Sequence, residues 1–155
     1  MIHHQQYPCF CLESLESLEG LEGLESLVKK INHHMKTYSF EKLDVWQESR
    51  RLAVKAYQYT RAFPEEEKYG LVRQMRRAGI SISSNIAEGT SRHTKQDQVR
   101  FYEIADGSLM EFLNQAIVSY DLDFLEESNL LLIREDIDSI SFKLSRLRDS
   151  VLNKN

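Results

Sequence analysis

The sequence predicts an all-α protein, an antiparallel up-down-up-down four-helix bundle. Three observations predict it. Apolar residues recur in steps of three and four over long stretches, no alternating strand pattern competes, and the joins between periodic stretches are short. The 155 residues suffice for one domain with a core. Only two prolines and six glycines interrupt them, several where helices would start or stop.

The first helix is expected from about Asp44 to Phe63. Trp46, Ser49, Ala53, Ala56, Thr60 and Phe63 fall on one stripe, with Arg50, Arg51, Lys55 and Arg61 off it. Pro64 ends this helix or begins the next. The second opens on Glu65, Glu66 and Glu67, acids suited to the positive end of a helix dipole. Its stripe is Leu71, Met75, Ala78, Ile82 and Ile86, and Gly89 reads as the C-terminal stop. Gly79 lies inside this helix at a cost of about 1 kcal/mol relative to alanine, which close packing would offset.

Thr94 and Asp97 resemble a capping pair for the third helix. Its stripe runs Phe101, Ala105, Ser108, Phe112 and Ala116, widened by Ile104, Leu109 and Leu113, and it ends near Tyr120 before an Asp121–Asp123 turn. The fourth keeps its period longest, through Leu130, Ile133, Ile137, Ile140, Leu144, Leu147 and Val151. Tyr57, Tyr59, Tyr69, Tyr102 and Tyr120 suit either exposed interface faces or a core edge with wet hydroxyls.

Residues 1–37 read differently, as a low-complexity leader ahead of a bundle domain at 38–155. Within it LESLESLEGLEGLESL at 12–27 repeats every three residues, so its leucines spiral around a helix and form no seam. Disorder or a loose helix is expected, and Met35 stands as a candidate initiator. His3, His4, Cys9, Cys11, His33 and His34 lack the spacing of a structural zinc site.

The net charge of −4 is uneven. Glu13, Glu16, Glu19, Glu22 and Glu25 precede residue 34, whereas 18 bases and 19 acids follow, so the domain is nearly neutral. That balance opposes bulk attraction to nucleic acid and leaves room for a local patch. No stretch is long and apolar enough for a membrane span, and no signal peptide is evident. A cytoplasmic location without membrane association is expected.

Three segments carry a family resemblance: FEKLDVWQ at 40–47, FPEEEKYGLVRQMRRAGISISSNIAEG at 63–89, and RFYEIADGSLMEF at 100–112. Across 40–152 the chain resembles the proteins encoded in intervening sequences of bacterial 23S ribosomal RNA genes. The resemblance implies a four-helix bundle that associates into a ring-like homopentamer, of undefined role and without enzymatic activity. More distantly, the chain is similar to accessory proteins of diversity-generating retroelements. Those form pentameric barrels whose basic surfaces meet a reverse transcriptase and nucleic acid.

Within the most specific segment, Ser81, Asn85 and Glu88 share one helix face beside Gly89, and Ser108 with Glu111 offers a matching face on the third helix. Hydrogen bonds that fix helix register are the expected role, with Arg73 or Arg77 answering Glu88 or Glu111. A di-iron centre would need Glu-x-x-His on facing helices, and neither glutamate has that histidine. No phosphate-binding glycine loop or nucleophile elbow occurs. Neither a cofactor nor catalysis is expected. Arg73, Arg76, Arg77, Arg92, Lys95 and Arg100 stand against only Glu88 and Asp97 across 73–100, a candidate phosphate-binding patch for weak, salt-sensitive nucleic-acid contact.

Overall fold

A computed structural model describes residues 36–153, and every element lies in the unit Tyr38–Asn155. The leader, with its candidate histidine and cysteine ligands, falls outside the described residues apart from Lys36 and Thr37. The elements are a 3₁₀ turn at Ser39–Lys42, α1 at Asp44–Tyr59, a second 3₁₀ turn at Glu65–Lys68, α2 at Leu71–Ser91, α3 at Lys95–Asp121 and α4 at Glu127–Leu152. No strand occurs among the described residues. The four-helix, all-α architecture is therefore as the periodicity predicts.

Each helix touches two others. α1 packs on α2 and α4, and α3 packs on α2 and α4, with α2–α3 the most extensive contact. Paired residue numbers run in opposite senses: Glu48 meets Lys143 where Lys55 meets Asp136, and Arg77 meets Glu111 where Thr90 meets Tyr102. Met75, Ile82, Ile86, Leu109, Phe112, Ile133, Ile137 and Ile140 are fully buried between the helices.

Boundaries depart from the periodic reading where backbone chemistry intervenes. α1 stops at Tyr59, not Phe63, because the residue before Pro64 is driven out of the helical region. Phe63 is still buried, beside the Phe124 ring at 5.8 Å between centroids. Glu65–Glu67 sit in the 3₁₀ turn, so α2 begins later, at Leu71. Glu67 keeps the helix-start role even so, its Oε2 accepting from the Leu71 N–H at 2.9 Å. α3 closes at Asp121, and Asp123 takes φ 58° in the following turn, a left-handed conformation that aspartate tolerates. Thr94 is the N-cap of α3 as predicted, its hydroxyl accepting from the Asp97 N–H at 3.1 Å.

The core is wider than single stripes. Val45 and Leu52 are buried on α1, whereas Trp46 is half-buried against Phe40 and under Arg50. A helix with two neighbours buries a broad arc, so residues beside the stripe enter the core. On α3, Tyr102 takes a core place and Ile104 is turned out to solvent. The other tyrosines divide: Tyr59 is half-buried, and Tyr57, Tyr69 and Tyr120 are exposed.

Candidate functional site

The seam between α2 and α3 gathers the polar residues of the most specific segment. Ser81 and Ser108 face each other with their hydroxyl oxygens 2.9 Å apart. Asn85 donates its amide to the Ser81 carbonyl at 2.8 Å and to the Ser81 hydroxyl at 3.0 Å. Ser108 is buried and also donates to the Ile104 carbonyl at 2.9 Å. Two helices are thus joined across a half-buried seam by small polar groups that hydrogen-bond to one another.

Glycine sets how closely these helices approach. A Cβ built at Gly89 would stand 2.6 Å from the Tyr102 ring and 3.0 Å from Phe101 Cβ. Gly89 is buried inside α2, which continues to Ser91, so its expected role as a helix stop gives way to one in close packing. Gly79 plays the same part against α1, where a Cβ would lie 3.3 Å from the Ala53 backbone and 3.5 Å from both Ala56 and Phe112.

Glu88 and Glu111 do not meet. Glu111 lies opposite Arg77, 11 positions before Glu88 on α2, an axial separation of about 16 Å at 1.5 Å per residue. Glu88 is exposed and paired with Arg92, while Glu111 accepts from the Gln115 amide at 3.1 Å and lies 3.8 Å from Arg77. Gln115 is 4% exposed, and its carbonyl oxygen is buried without a hydrogen-bond partner. Arg73 answers neither glutamate. No group of His, Cys, Asp or Glu side chains suited to a metal ion occurs among the described residues.

The six bases of 73–100 divide into two groups. Arg73, Arg76 and Arg77 lie near the start of α2, whereas Arg92, Lys95 and Arg100 lie past its end, about 24 Å away along the axis at 1.5 Å per residue. The first group lines a hollow of about 440 Å³ together with Lys68, Tyr57 and Tyr69. Arg76 is held there, its Nε donating to Thr60 Oγ1 at 2.8 Å and its guanidinium 4.7 Å from the Tyr57 ring centre. Arg77 keeps only its loose contact with Glu111, and Arg73 makes no ion pair among the described residues. In the second group Arg92 lies over Phe101 at 4.6 Å and pairs with Glu88, while Lys95 and Arg100 are exposed. Lys68, Tyr57 and Tyr69 reach this hollow from the turn at Glu65–Lys68, from the residue after it and from α1, a meeting that spacing along α2 does not reveal.

A second device ties α1 to α4. Glu48 accepts from Lys143 and, at 2.9 Å, from Ser139, while Lys55 reaches Asp136 at 2.6 Å. Burial alone pushes the Glu48 carboxyl up, but Lys143, Ser139 and Arg51 together hold it below its ordinary value. The Tyr59 phenol is pushed up by burial, with Asp136 adding to that and Lys55 opposing it.

Compared with known families, residues 41–146 match the model described as 23S rRNA-intervening sequence protein. The fold is similar to a crystal structure of a protein of unknown function from the S23 ribosomal protein family of Bacteroides thetaiotaomicron, with a TM-score of 0.61. That likeness covers 67% of this chain and 97% of the other at 20% identity, and at that identity it speaks for the fold alone. No curated protein matches the chain. No described helix is long and apolar enough to cross a membrane.

Proposed function

Because the chain belongs to the 23S rRNA-intervening sequence protein family, we propose that it is a non-enzymatic scaffold that assembles with copies of itself, as a homopentamer in the cytoplasm. One observation carries this reading. Large apolar side chains stand exposed along the helix rods, among them Val54, Ile80, Ile104, Met110 and Phe142. A single exposed leucine means little, but repeated apolar residues along rigid rods suit helix-to-helix association. The seam residues Ser81, Asn85 and Ser108 support it from the other side, since their hydrogen bonds serve the bundle. The number five rests on the resemblance.

The test is the native mass at micromolar concentration by sedimentation equilibrium. A mass about five times 18.2 kDa is expected, and a monomer sinks the proposal.

A second reading, nucleic-acid contact, is favoured by the hollow beside α2. There Arg73, Arg76 and Arg77 stand with Lys68 among the Tyr57 and Tyr69 rings. Guanidinium forks suit phosphate oxygens, and aromatic faces suit unstacked bases. Arg92, Lys95 and Arg100 lie too far along α2 to join that hollow, which narrows the patch to its first half. Binding of single-stranded oligonucleotide, measured at two salt concentrations, should be lost on changing Arg73, Arg76 and Arg77 to glutamate. Absence of binding at low salt, or binding indifferent to those changes, ends this reading.

A further inference from the structure

We infer that the outer face of α3 seats a second copy of this chain, which docks through the outer face of its α1. The inference rests on the self-assembly proposed above and adds which surfaces meet.

α3 presents a face unlike its neighbours'. Between Ile104 and Val118 six of its residues are exposed, and Glu111 alone is charged. Ile104, Gly107, Glu111, Asn114 and Val118 follow one another in steps of three and four, so they form a single stripe four turns long. Met110 flanks it. α4 offers the contrast, since five of its eight exposed residues between Leu131 and Asp149 are charged. This outer face, poor in charge and carrying Ile104, Met110 and Val118 exposed, has a composition that suits burial.

Gly107 is an independent sign of what covers it. Gly79 and Gly89 are each explained by a neighbour inside the bundle, whereas a Cβ built at Gly107 meets nothing within 4 Å. Glycine in mid-helix is costly, and here no packing among the described residues offsets that cost. The close approach that Gly107 permits is therefore to a surface outside the described bundle, which we assign to a second copy.

Composition suits the outer face of α1 to this place. The exposed residues of α1 between Arg50 and Gln58 are Arg50, Arg51, Val54, Tyr57 and Gln58, with two cations and no anion. That face is apolar at its centre, and its cations suit Glu111, which meets Arg77 of its own chain only loosely, at 3.8 Å, and stays exposed. α1 and α3 each pack on α2 and α4 but not on each other, so they hold opposite corners of the bundle. A contact between two unlike faces is heterologous, and repeating it from copy to copy closes a ring or extends a filament.

Sedimentation of the full chain and two variants tests this. Gly107→Leu adds a bulky side chain where the described residues leave open space, so the variant should keep its helical circular dichroism yet fall to a mass of 18.2 kDa. Val54→Glu, on the other face, should do the same. Each variant retains the face the other has lost, so mixing them should give a one-to-one dimer of twice that mass. If the native chain assembles and either variant keeps the native mass, the assigned faces are wrong while the assembly reading stands. Two folded monomers that stay apart on mixing overturn the α1-to-α3 pairing. A monomeric native chain defeats the assembly reading itself.

Discussion

Replacing Gly89 by alanine sets two effects of opposite sign against each other. Alanine is favoured over glycine inside a helix by about 1 kcal/mol, and Gly89 has helical backbone two residues before the end of α2. The added carbon would stand 2.6 Å from Tyr102 Cε1, where ordinary contact begins at 3.4 Å, so ring or helix has to retreat by most of an ångström. Tyr102 is 2% exposed, so its ring moves only at the expense of core contacts. Overpacking of this kind costs about 1–3 kcal/mol, which leaves a net destabilisation of about 1 kcal/mol. Urea unfolding followed by circular dichroism measures it, at one fixed protein concentration because self-association shifts apparent stability. The informative comparison repeats the substitution in a Tyr102→Leu background. Leucine keeps the site apolar but lacks Cε1, so Gly89→Ala should cost at least about 0.5 kcal/mol less there, the low end of coupling between touching residues. An equal cost in both backgrounds would show that contact with the Tyr102 ring is not what requires glycine at this position. A stabilised Gly89→Ala protein would refute the close approach altogether.

Two further outcomes follow from the hydrogen-bonded ties. A double-mutant cycle of Ser81→Ala and Ser108→Ala should reveal a coupling of about 0.5–1.5 kcal/mol in unfolding free energy, and strictly additive single effects would show that the 2.9 Å contact contributes nothing. Glu48 has a folded pKa below its ordinary 4.5, so the unfolded chain takes up the proton first. Its contribution is full above about that value and is lost as pH falls through the lower, folded one. Glu48→Gln should flatten stability against pH below 4.5, and an unchanged acid limb would contradict the Lys143 and Ser139 contacts.

Much of the fold is written in local spacing. A three-four alternation such as Leu130 to Val151 has only one regular structure that buries it, and the Thr94 cap needs no more than its own neighbours along the chain. The helix ends at Tyr59 and Leu71 are less legible, because Pro64 bars helix at Phe63 without fixing how much earlier the chain leaves it, and the glutamates that follow suit a helix or a 3₁₀ turn alike. The candidate site was legible in its parts more than in its arrangement. Ser81, Asn85 and Ser108 could be named from their shared faces, yet the Ser81–Ser108 contact depends on how far α2 and α3 slide past each other. That slide also separates Glu88 from Glu111, and the length of α2 divides the six bases into two groups.

The glycines draw the line most clearly. Chain chemistry alone determined that this protein is a bundle of amphipathic helices, because a 3.6-residue period is a property of the backbone and of side-chain order. It could not determine what Gly79, Gly89 and Gly107 do, since a glycine carries no side chain to say what stands opposite it. Only the tertiary structure decided that two of them let helices close within the bundle while the third faces open space, because a missing side chain takes its meaning from whatever stands opposite.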